Sequence, residues 1–537
     1  MNGADAIVKC LELENTEYVF GYPGVAICPF YNSILSSDIK TVLVRTEQSA
    51  AHAASGYART GNRVGVVAVT SGPGATNLIT GIATAFADSI PLVCITGQVN
   101  SDLIGSDVFQ EADITGAVES FVKYSYSVRN ADDIPRIFKE AFYIANTGRK
   151  GPVLIDIPMD IQNHPVKKFS YPEEIKLRTY KPTVKGNSLQ IKKVVNELMK
   201  AKRPLICAGG GIKLSDAKDE LLSFSKKYNI PIVTTMMGIG LVSSDYPLSY
   251  GMVGNNGEKY ANKAMEEADV LLMIGARVAD RAVNQPELIT KGKVLVHIDV
   301  DPAEIGKNAG PNIPIVGDAK SIFNDFLEYD FSVDSEEWIK TLDSYKLSMQ
   351  TKHPDSKDFV NPSLFINRLS ESMEEDAVYI ADVGQNQIWS CRYSVIKKGD
   401  FLTSGGMGTM GYSIPAAIGA KLSLKDKQVV AVCGDGSFQM SMCELATMMQ
   451  IGANVKIVVI KNNYLGMVRQ YQHFAYNDSY SVVDLDVSPD ISKIAEAYGI
   501  KYLKIDSNDE VDSGIDKFLL GDESYILEVS VDPMDLV

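Results

Sequence analysis

Cysteine is scarce in this chain and never paired. The seven cysteines fall at positions 10, 28, 94, 207, 391, 433 and 443, with no C-x-x-C among them. That spacing excludes a clustered zinc site. Most of the seven lie in apolar runs, so buried thiols in a reducing compartment are expected. Long hydrophobic runs are missing too: none reaches the ~18 residues that span a bilayer. The opening MNGADAIVKCLELEN has no basic region followed by an apolar stretch. No secretory signal is therefore expected, and the protein is expected in the cytoplasm, without a membrane partner. Basic residues are outnumbered, 52 Lys and Arg against 67 Asp and Glu, for a net charge of −15. That balance argues against nucleic acid as a partner. No G-x-G-x-x-G follows the first strand with an acidic residue ~20 positions later, which argues against a nicotinamide-dependent dehydrogenase.

What is present is an alternating pattern. At 537 residues the chain is too long for one core, so two to four domains are expected. Apolar, β-branched runs recur between helical stretches: RVGVVAVTS, PLVCITG, GPVLIDIP, RPLICAGGG, NIPIVTT, DVLLMIGAR, KVLVHIDVD, AVYIADVG, QVVAVCGDG, NVKIVVIKNN and SYILEVSVD. Continuous apolar strands separated by helices predict α/β architecture, with doubly wound parallel sheets covered on both faces. Two stretches break the rhythm, 163–188 and 330–363; both are polar and aperiodic, the second with one short helical piece. Read as connections, they divide the chain into domains at 1–165, 185–330 and 360–537. The first and third could share an architecture without sharing sequence.

The sharpest local signal is VVAVCGDGSFQMSMCELATMMQ, 429–450. A buried strand ends in Gly434-Asp435-Gly436 and a helix starts at once. Ligands of α/β sheets sit outside the carboxyl ends of the strands, and a helix N-terminus suits phosphate. Asp435 would repel phosphate unless a cation lies between them. The next apolar run supplies a partner: Asn462 stands 27 positions after Asp435. A carboxylate, an amide oxygen, a backbone carbonyl and phosphate oxygens make a hard site that suits Mg²⁺. Alone, Gly-Asp-Gly is a common turn and Asn-Asn a common cap; the two at this spacing, each after a buried strand, are far more specific. LTSGGMGTMGYSIPAAIGAKL, 402–422, gives a second glycine-rich entry to a helix.

The GDG…NN pair resembles the diphosphate-binding motif of thiamine-diphosphate enzymes. VFGYPGVAICPFYNSI, RTEQSAAHAASGYAR, VTSGPGATNLITGIATAFADSIPLVCITGQV, LIGSDVFQEAD, FYIANTGRKGPVLIDIPMDIQ, LTSGGMGTMGYSIPAAIGA and NNYLGMVRQYQ resemble, in order, the catalytic subunits of the acetolactate synthase family. The resemblance runs over nearly the whole chain. It implies a pyrimidine-binding N-terminal domain, a central Rossmann-like domain and a diphosphate-binding C-terminal domain. It also implies decarboxylation of pyruvate and transfer of the two-carbon unit to a second 2-oxo acid. The products would be acetolactate or acetohydroxybutyrate, in branched-chain amino acid biosynthesis. A related carboligase or decarboxylase using an aldehyde or keto-sugar acceptor remains an alternative, as does a catalytically idle member serving as a subunit.

Residue by residue, the resemblance gives Asp435, Asn462 and the Tyr464 carbonyl to Mg²⁺. Gly384, Gln385, Asn386, Gly434, Gly436, Ser437, Gly466 and Met467 match positions around the diphosphate. Pro23, Gly408, Met410 and Met440 match positions around the rest of thiamine diphosphate, with Met410 wedging it into its bent form. Glu47 would hydrogen-bond N1′ of the aminopyrimidine and shuttle a proton, with Gln110 and the Val25 backbone N–H beside the reacting centre. Arg281 and Phe109 match acceptor-substrate positions, the arginine because a guanidinium suits a carboxylate. Arg149, Gly209, Gly210, Gly211, Thr235, Met236, Arg277, Asp299 and Asp318 match a structural FAD site. A homodimer or homotetramer is implied, and a regulatory subunit is a candidate partner. The sequence departs from the family at Val25 (usually Gly), Asn386 (His), Met159 (Lys), RVADR (RFDDR), GMVG at 251–254 (GMHG) and Tyr471 (Trp). It stops at VDPMDLV, before most of the tail that closes over the site in the family. Most of these departures lie on the acceptor and flavin sides; Asn386 apart, the metal, diphosphate and proton-relay positions are intact.

Overall fold

The computed structural model of the chain describes residues 1–283, 285–350 and 358–537. It contains three six-stranded sheets, and every strand pair in them is parallel. The first holds β1 (Tyr18–Tyr22), β2 (Lys40–Leu43), β3 (Gly65–Val69), β4 (Leu92–Gln98), β5 (Tyr124–Ser127) and β6 (Val153–Pro158), in the order β2-β1-β3-β4-β6-β5. The second holds β7 (Pro204–Ala208), β8 (Ile232–Thr234), β9 (Ser249–Met252), β10 (Val270–Ile274), β11 (Val294–Asp299) and β12 (Ile313–Val316), in the order β12-β11-β10-β7-β8-β9. The third holds β13 (Val378–Ala381), β14 (Asp400–Thr403), β15 (Val429–Gly434), β16 (Lys456–Lys461), β17 (Lys501–Ile505) and β18 (Tyr525–Ser530), in the order β14-β13-β15-β16-β18-β17. The expected doubly wound α/β class is the observed one.

Counted from its own first strand, the third sheet repeats the order of the first, 2-1-3-4-6-5. The central sheet has the other doubly wound order, 3-2-1-4-5-6, which is the dinucleotide-binding arrangement. Strand order reverses between β1 and β3, between β7 and β10, and between β13 and β15. In open α/β sheets a crevice forms beyond the carboxyl ends at such a point. The loops that leave those six strands therefore decide what each sheet can hold.

The first and third sheets dock through two helices. Glu47–Gly61 lies between β2 and β3, and Ser413–Ser423 lies between β14 and β15, the equivalent place. Their contact is reciprocal. A Cβ on Gly56 would overlap the Ala416 carbonyl, and one on Gly419 would overlap the Ala53 carbonyl. Two Ala-x-x-Gly pairs thus face each other across a local pseudo-twofold axis, close enough that only glycine fits.

Two expectations are corrected. Residues 336–348, read as part of a connection with a short helical piece, form the helix Glu336–Ser348, which buries Trp338 and Leu342 against the central sheet. The Trp338 indole N–H donates to the Pro204 carbonyl at 3.2 Å. Its sequence carries few apolar residues because only a narrow stripe is covered. Residues 351–357 of that expected connection lie outside the described residues. The cysteines are all free, but Cys28 is exposed and Cys443 half-buried; the other five are buried as expected.

Candidate functional site

The N-terminal half of the site lies beyond β1 and β3. β1 delivers Pro23, Gly24 and Val25, and β3 delivers Thr70 to Gly74. Thr70 packs between them: Cβ atoms on Gly24 and Gly74 would stand 2.5 Å and 2.7 Å from Thr70 side-chain carbons. Glu47 opens the helix Glu47–Gly61, behind the N-cap Thr46, whose side chain accepts from Ser49 N. A Cβ on Gly74 would sit 3.3 Å from Glu47 Oε1, and Asn77 Nδ2 donates to Oε2 at 3.1 Å. The carboxylate therefore lies at the N-termini of two helices, its own and Pro73–Ala87, where the dipoles favour negative charge. Gln110 has left-handed backbone, φ +61°, and its Cα would be 2.9 Å from a Cβ on Gly72. Val25 and Phe109 are 72% and 87% exposed. The structure thus brings Glu47, Gln110, Val25 and Pro23 to one crevice.

The C-terminal half lies beyond β13, β15 and β16. Parallel pairing sets Gly434 against Ile460, so Asp435 and the residues after Lys461 emerge side by side. Asp435 is buried; its Oδ2 accepts from Asn463 N at 2.8 Å and its Oδ1 from Gly436 N at 3.1 Å. Burial pushes its carboxyl up to about 6, against the pull of those two N–H groups and of Lys461. A buried carboxylate raised by desolvation is a place where a divalent ion offsets that penalty. Asn462 Oδ1 accepts from Tyr464 N at 2.9 Å, and its Nδ2 donates to Gln385 Oε1 at 2.9 Å. Gly466 passes close to this pair: a Cβ there would overlap the Gln385 amide oxygen and displace that side chain.

β13 delivers Gly384, whose φ of +143° favours glycine, then Gln385 and Asn386. Asn386 Nδ2 donates to the Asp382 carbonyl at 2.8 Å, which aims its Oδ1 between Gly384 and Gly434. Ser437 Oγ donates to the Val383 carbonyl at 3.1 Å. Met410 leans on Gly436, its Cε 3.5 Å from where a Cβ would lie, and Met440 packs against Gly411. Gly408 and Met467 line the adjoining cleft. Among the described residues no cluster of three His, Cys, Asp or Glu could hold a metal. One carboxylate, one amide and one carbonyl, completed by phosphate oxygens, is a set that falls outside that definition and fits Mg²⁺.

A cleft of about 1250 Å³ runs along the junction of the three sheets. Gly210, Gly211, Thr235, Met236, Arg277, Asp299 and Asp318 line it, with Arg149 and Arg281 from its rims. Gly209 and Gly211 pack on Gly275 so closely that a Cβ on either would collide with its backbone, which brings the β7 and β10 loops together at the order reversal. Burial pushes Asp299, at the end of β11, up to about 6. Arg149 bonds Asp301 at 3.2 Å and Glu304 at 2.9 Å. Arg281 is 74% exposed. Cavity size, glycine cradle and a half-buried acid at a strand end fit a flavin dinucleotide.

Two further carboxylates bear on the site, and nothing in the sequence alone marks them. Asp382, fully buried, accepts from Gly411 N at 2.9 Å and Ser413 N at 2.7 Å, and so fixes the turn after Met410. Glu444, fully buried, accepts from Arg45 N at 2.9 Å and Thr46 N at 3.1 Å, and so fixes the strand-to-helix turn before Glu47. Each is a charge inside or just after an apolar run, and its partners are too far along the chain to be seen in it.

Comparison with known proteins matches all three sheets. Residues 1–117 match a model described as the thiamine pyrophosphate enzyme N-terminal TPP binding domain, 191–326 the central domain, and 382–529 the C-terminal TPP binding domain. All three models describe one class, the thiamine pyrophosphate enzymes. A protein of Methanocaldococcus jannaschii named "Probable acetolactate synthase large subunit" is 43% identical, covering 100% of this chain and 93% of its own. The acetolactate synthase large subunit of Haemophilus influenzae is 41% identical, covering 100% and 96%. That of Lactococcus lactis subsp. lactis is also 41% identical, covering 99% and 92%. The chain belongs to the acetolactate synthase large-subunit family of thiamine pyrophosphate enzymes, as the motifs predicted. No helix among the described residues is long and apolar enough to cross a membrane.

Proposed function

We propose that the protein decarboxylates pyruvate and joins the two-carbon unit to a second 2-oxo acid, giving acetolactate or acetohydroxybutyrate for branched-chain amino acid synthesis. The observation that carries this is the pairing of two order-reversal crevices, one holding Glu47 and the other Asp435 with Asn462, on sheets matched by TPP binding domains. The relatives' names favour this reading over an aldehyde or keto-sugar acceptor.

Thiamine diphosphate, when bound, supplies the carbon nucleophile and the electron sink for decarboxylation. The protein binds, orients and moves a proton. Asp435, Asn462 and the Tyr464 carbonyl would hold Mg²⁺ on the diphosphate, with Gly384, Asn386, Gly434, Gly436, Ser437, Gly466 and Met467 around it. Gly408, Met410 and Met440 would support the middle of the cofactor. Glu47 would exchange a proton with the aminopyrimidine N1′, held in aim by Asn77. Gln110, Phe109 and the Val25 N–H would flank the reacting carbon, and Arg281 would take the acceptor carboxylate. FAD in the central cleft would be structural, gripped by Arg149, Gly209–Gly211, Thr235, Met236, Arg277, Asp299 and Asp318. The domains 1–165, 185–330 and 360–537 would be the pyrimidine, flavin and diphosphate units.

A homodimer or homotetramer joins the half-sites of different copies in this reading. The exposed apolar side chains at both crevices support it: Val25 and Phe109 on one, Met440, Tyr471 and Phe474 on the other. The relatives are named large subunits, which supports a smaller regulatory partner. The cytoplasm is the proposed location. The test is product analysis of purified protein with thiamine diphosphate and Mg²⁺, on pyruvate alone and with 2-oxobutyrate. Acetolactate and acetohydroxybutyrate are expected; acetaldehyde as the main product, or no CO₂, overturns the reading. Glu47→Gln should cut turnover by about 10²–10⁴ while cofactor affinity stays within a few-fold; near-normal turnover removes Glu47 from its role.

A further inference from the structure

The last residues of the chain lie against the metal-binding loop. Gln385 Nε2 donates to the Asp535 carbonyl at 2.7 Å, while Gln385 Oε1 accepts from Asn462 Nδ2 at 2.9 Å. A carbonyl can only accept, so it fixes which end of the Gln385 amide faces it. That in turn fixes the Asn462 amide with Nδ2 toward Gln385. Asn462 Oδ1 takes one N–H, from Tyr464, and keeps a lone pair for an ion.

A second path reaches Tyr464. The Arg469 guanidinium is buried, donates through Nη1 to the Pro533 carbonyl at 2.9 Å, and stacks 5.1 Å from the centre of the Tyr464 ring. Gln470 fastens the end of the segment on both sides: Val537 N donates to its Oε1 at 2.8 Å, and its Nε2 donates to the Val537 carbonyl at 2.9 Å. One short segment thus supports both non-carboxylate ligands assigned above.

We infer that residues 533–537 are a positioning brace for the metal-binding loop, acting on Asn462 through Gln385 and on Tyr464 through Arg469. The inference rests on the metal reading of Asp435, Asn462 and Tyr464. It also gives the Gln385 side chain an orienting role, since both ends of its amide are engaged within the protein. Without the brace the Asn462 amide can flip and present Nδ2 to the cation. Outer-shell partners of this kind are worth 10–100-fold in metal affinity.

The experiment titrates the 537-residue protein and its variants with Mn²⁺ in saturating thiamine diphosphate, reading free Mn²⁺ by electron paramagnetic resonance. Deletion of 533–537 and Gln385→Leu should each raise the Mn²⁺ Kd by about 10–100-fold, and Gln385→Leu should add little to the deletion because the two share a path. Gln470→Ala loosens the segment at full length and should weaken Mn²⁺ in the same direction, so it decides the matter if the deletion does not fold. A Kd within twofold of the parent in both Gln385→Leu and Gln470→Ala overturns the brace. Asp435→Ala separates the two levels. If it leaves Mn²⁺ binding intact, the metal reading itself fails. If it abolishes binding while the other variants bind normally, only the brace fails.

Discussion

Glu444→Ala should loosen the joint between the first and third sheets and disturb Glu47 at the same time. The Glu444 carboxylate is fully buried, opens Glu444–Ile451, the second helix after the Asp435 turn, and reaches 399 residues back along the chain. It accepts from Arg45 N and Thr46 N, and from Thr447 Oγ1 at 2.6 Å. Alanine leaves two backbone N–H groups without that acceptor, at about 1–3 kcal/mol each. Removing a buried charge offsets part of this, so a net loss of about 2–4 kcal/mol is expected. Thr46 is the N-cap of the helix that starts with Glu47. A shift there of about 1 Å would cost turnover about 100-fold. Glu444→Gln keeps one carbonyl acceptor and should lose about half as much. The assay is urea unfolding followed by a probe in each sheet, because a multidomain chain need not unfold in one step, together with the acetolactate rate at saturating cofactor. If Glu444→Ala unfolds within 0.5 kcal/mol of the parent, by the order of magnitude of surface substitutions, and keeps its turnover, the coupling argued from these bonds is wrong.

Two other outcomes follow from buried groups. Burial pushes Asp156, on β6, from its ordinary 3.8 up to about 7, against hydrogen bonds from Thr96 and Gln98. A raised carboxyl favours the fold at low pH and loses that share as pH climbs through its folded value. At roughly 1.4 kcal/mol per unit, the parent should lose about 3 kcal/mol more than Asp156→Asn between pH 5 and pH 8 in denaturant midpoints; matching profiles would count against it. Gly56→Ala and Gly419→Ala should each destabilise by about 3 kcal/mol or more through overpacking, whereas Gly310→Ala, which meets open space, should change little; equal unfolding midpoints for all three would remove the close helix contact.

The sequence disclosed the parts of this molecule whose signal is local. β3, β4 and β6 are buried on both faces and read as largely apolar runs, interrupted only by Thr96, Gln98 and Asp156. The edge strands β2, β5 and β17, with sequences KTVL, YSYS and KYLKI, expose one face or more and so carry no such signal. The proposed metal site was legible because its candidate ligands follow two strands adjacent both in the chain and in the sheet. Glu47 was legible only through resemblance, since a glutamate at a helix start is otherwise an ordinary first-turn residue. Glu444, Asp382 and the contact of 533–537 with Gln385 stayed hidden for one reason: each joins segments whose proximity depends on how the sheets fold or dock.

That docking explains why one chain carries two sheets of the same strand order. The helices Glu47–Gly61 and Ser413–Ser423 occupy equivalent places and meet by reciprocal Ala–Gly contacts, so the two sheets are related as the halves of a symmetric dimer would be. Each then offers a crevice at its own order reversal, β1/β3 or β13/β15. The two have diverged in charge rather than in shape. One ends in a carboxylate beside helix N-termini, suited to a polar heterocycle and a mobile proton. The other ends in a buried carboxylate and amide, suited to a cation and phosphate. A cofactor with a heterocycle at one end and a diphosphate at the other needs both kinds of crevice. Because the reciprocal contact in one chain is made by helices on the flanks of the sheets, the crevices themselves stay open, with Val25, Phe109, Met440 and Tyr471 exposed around them, as the proposed homo-oligomer requires.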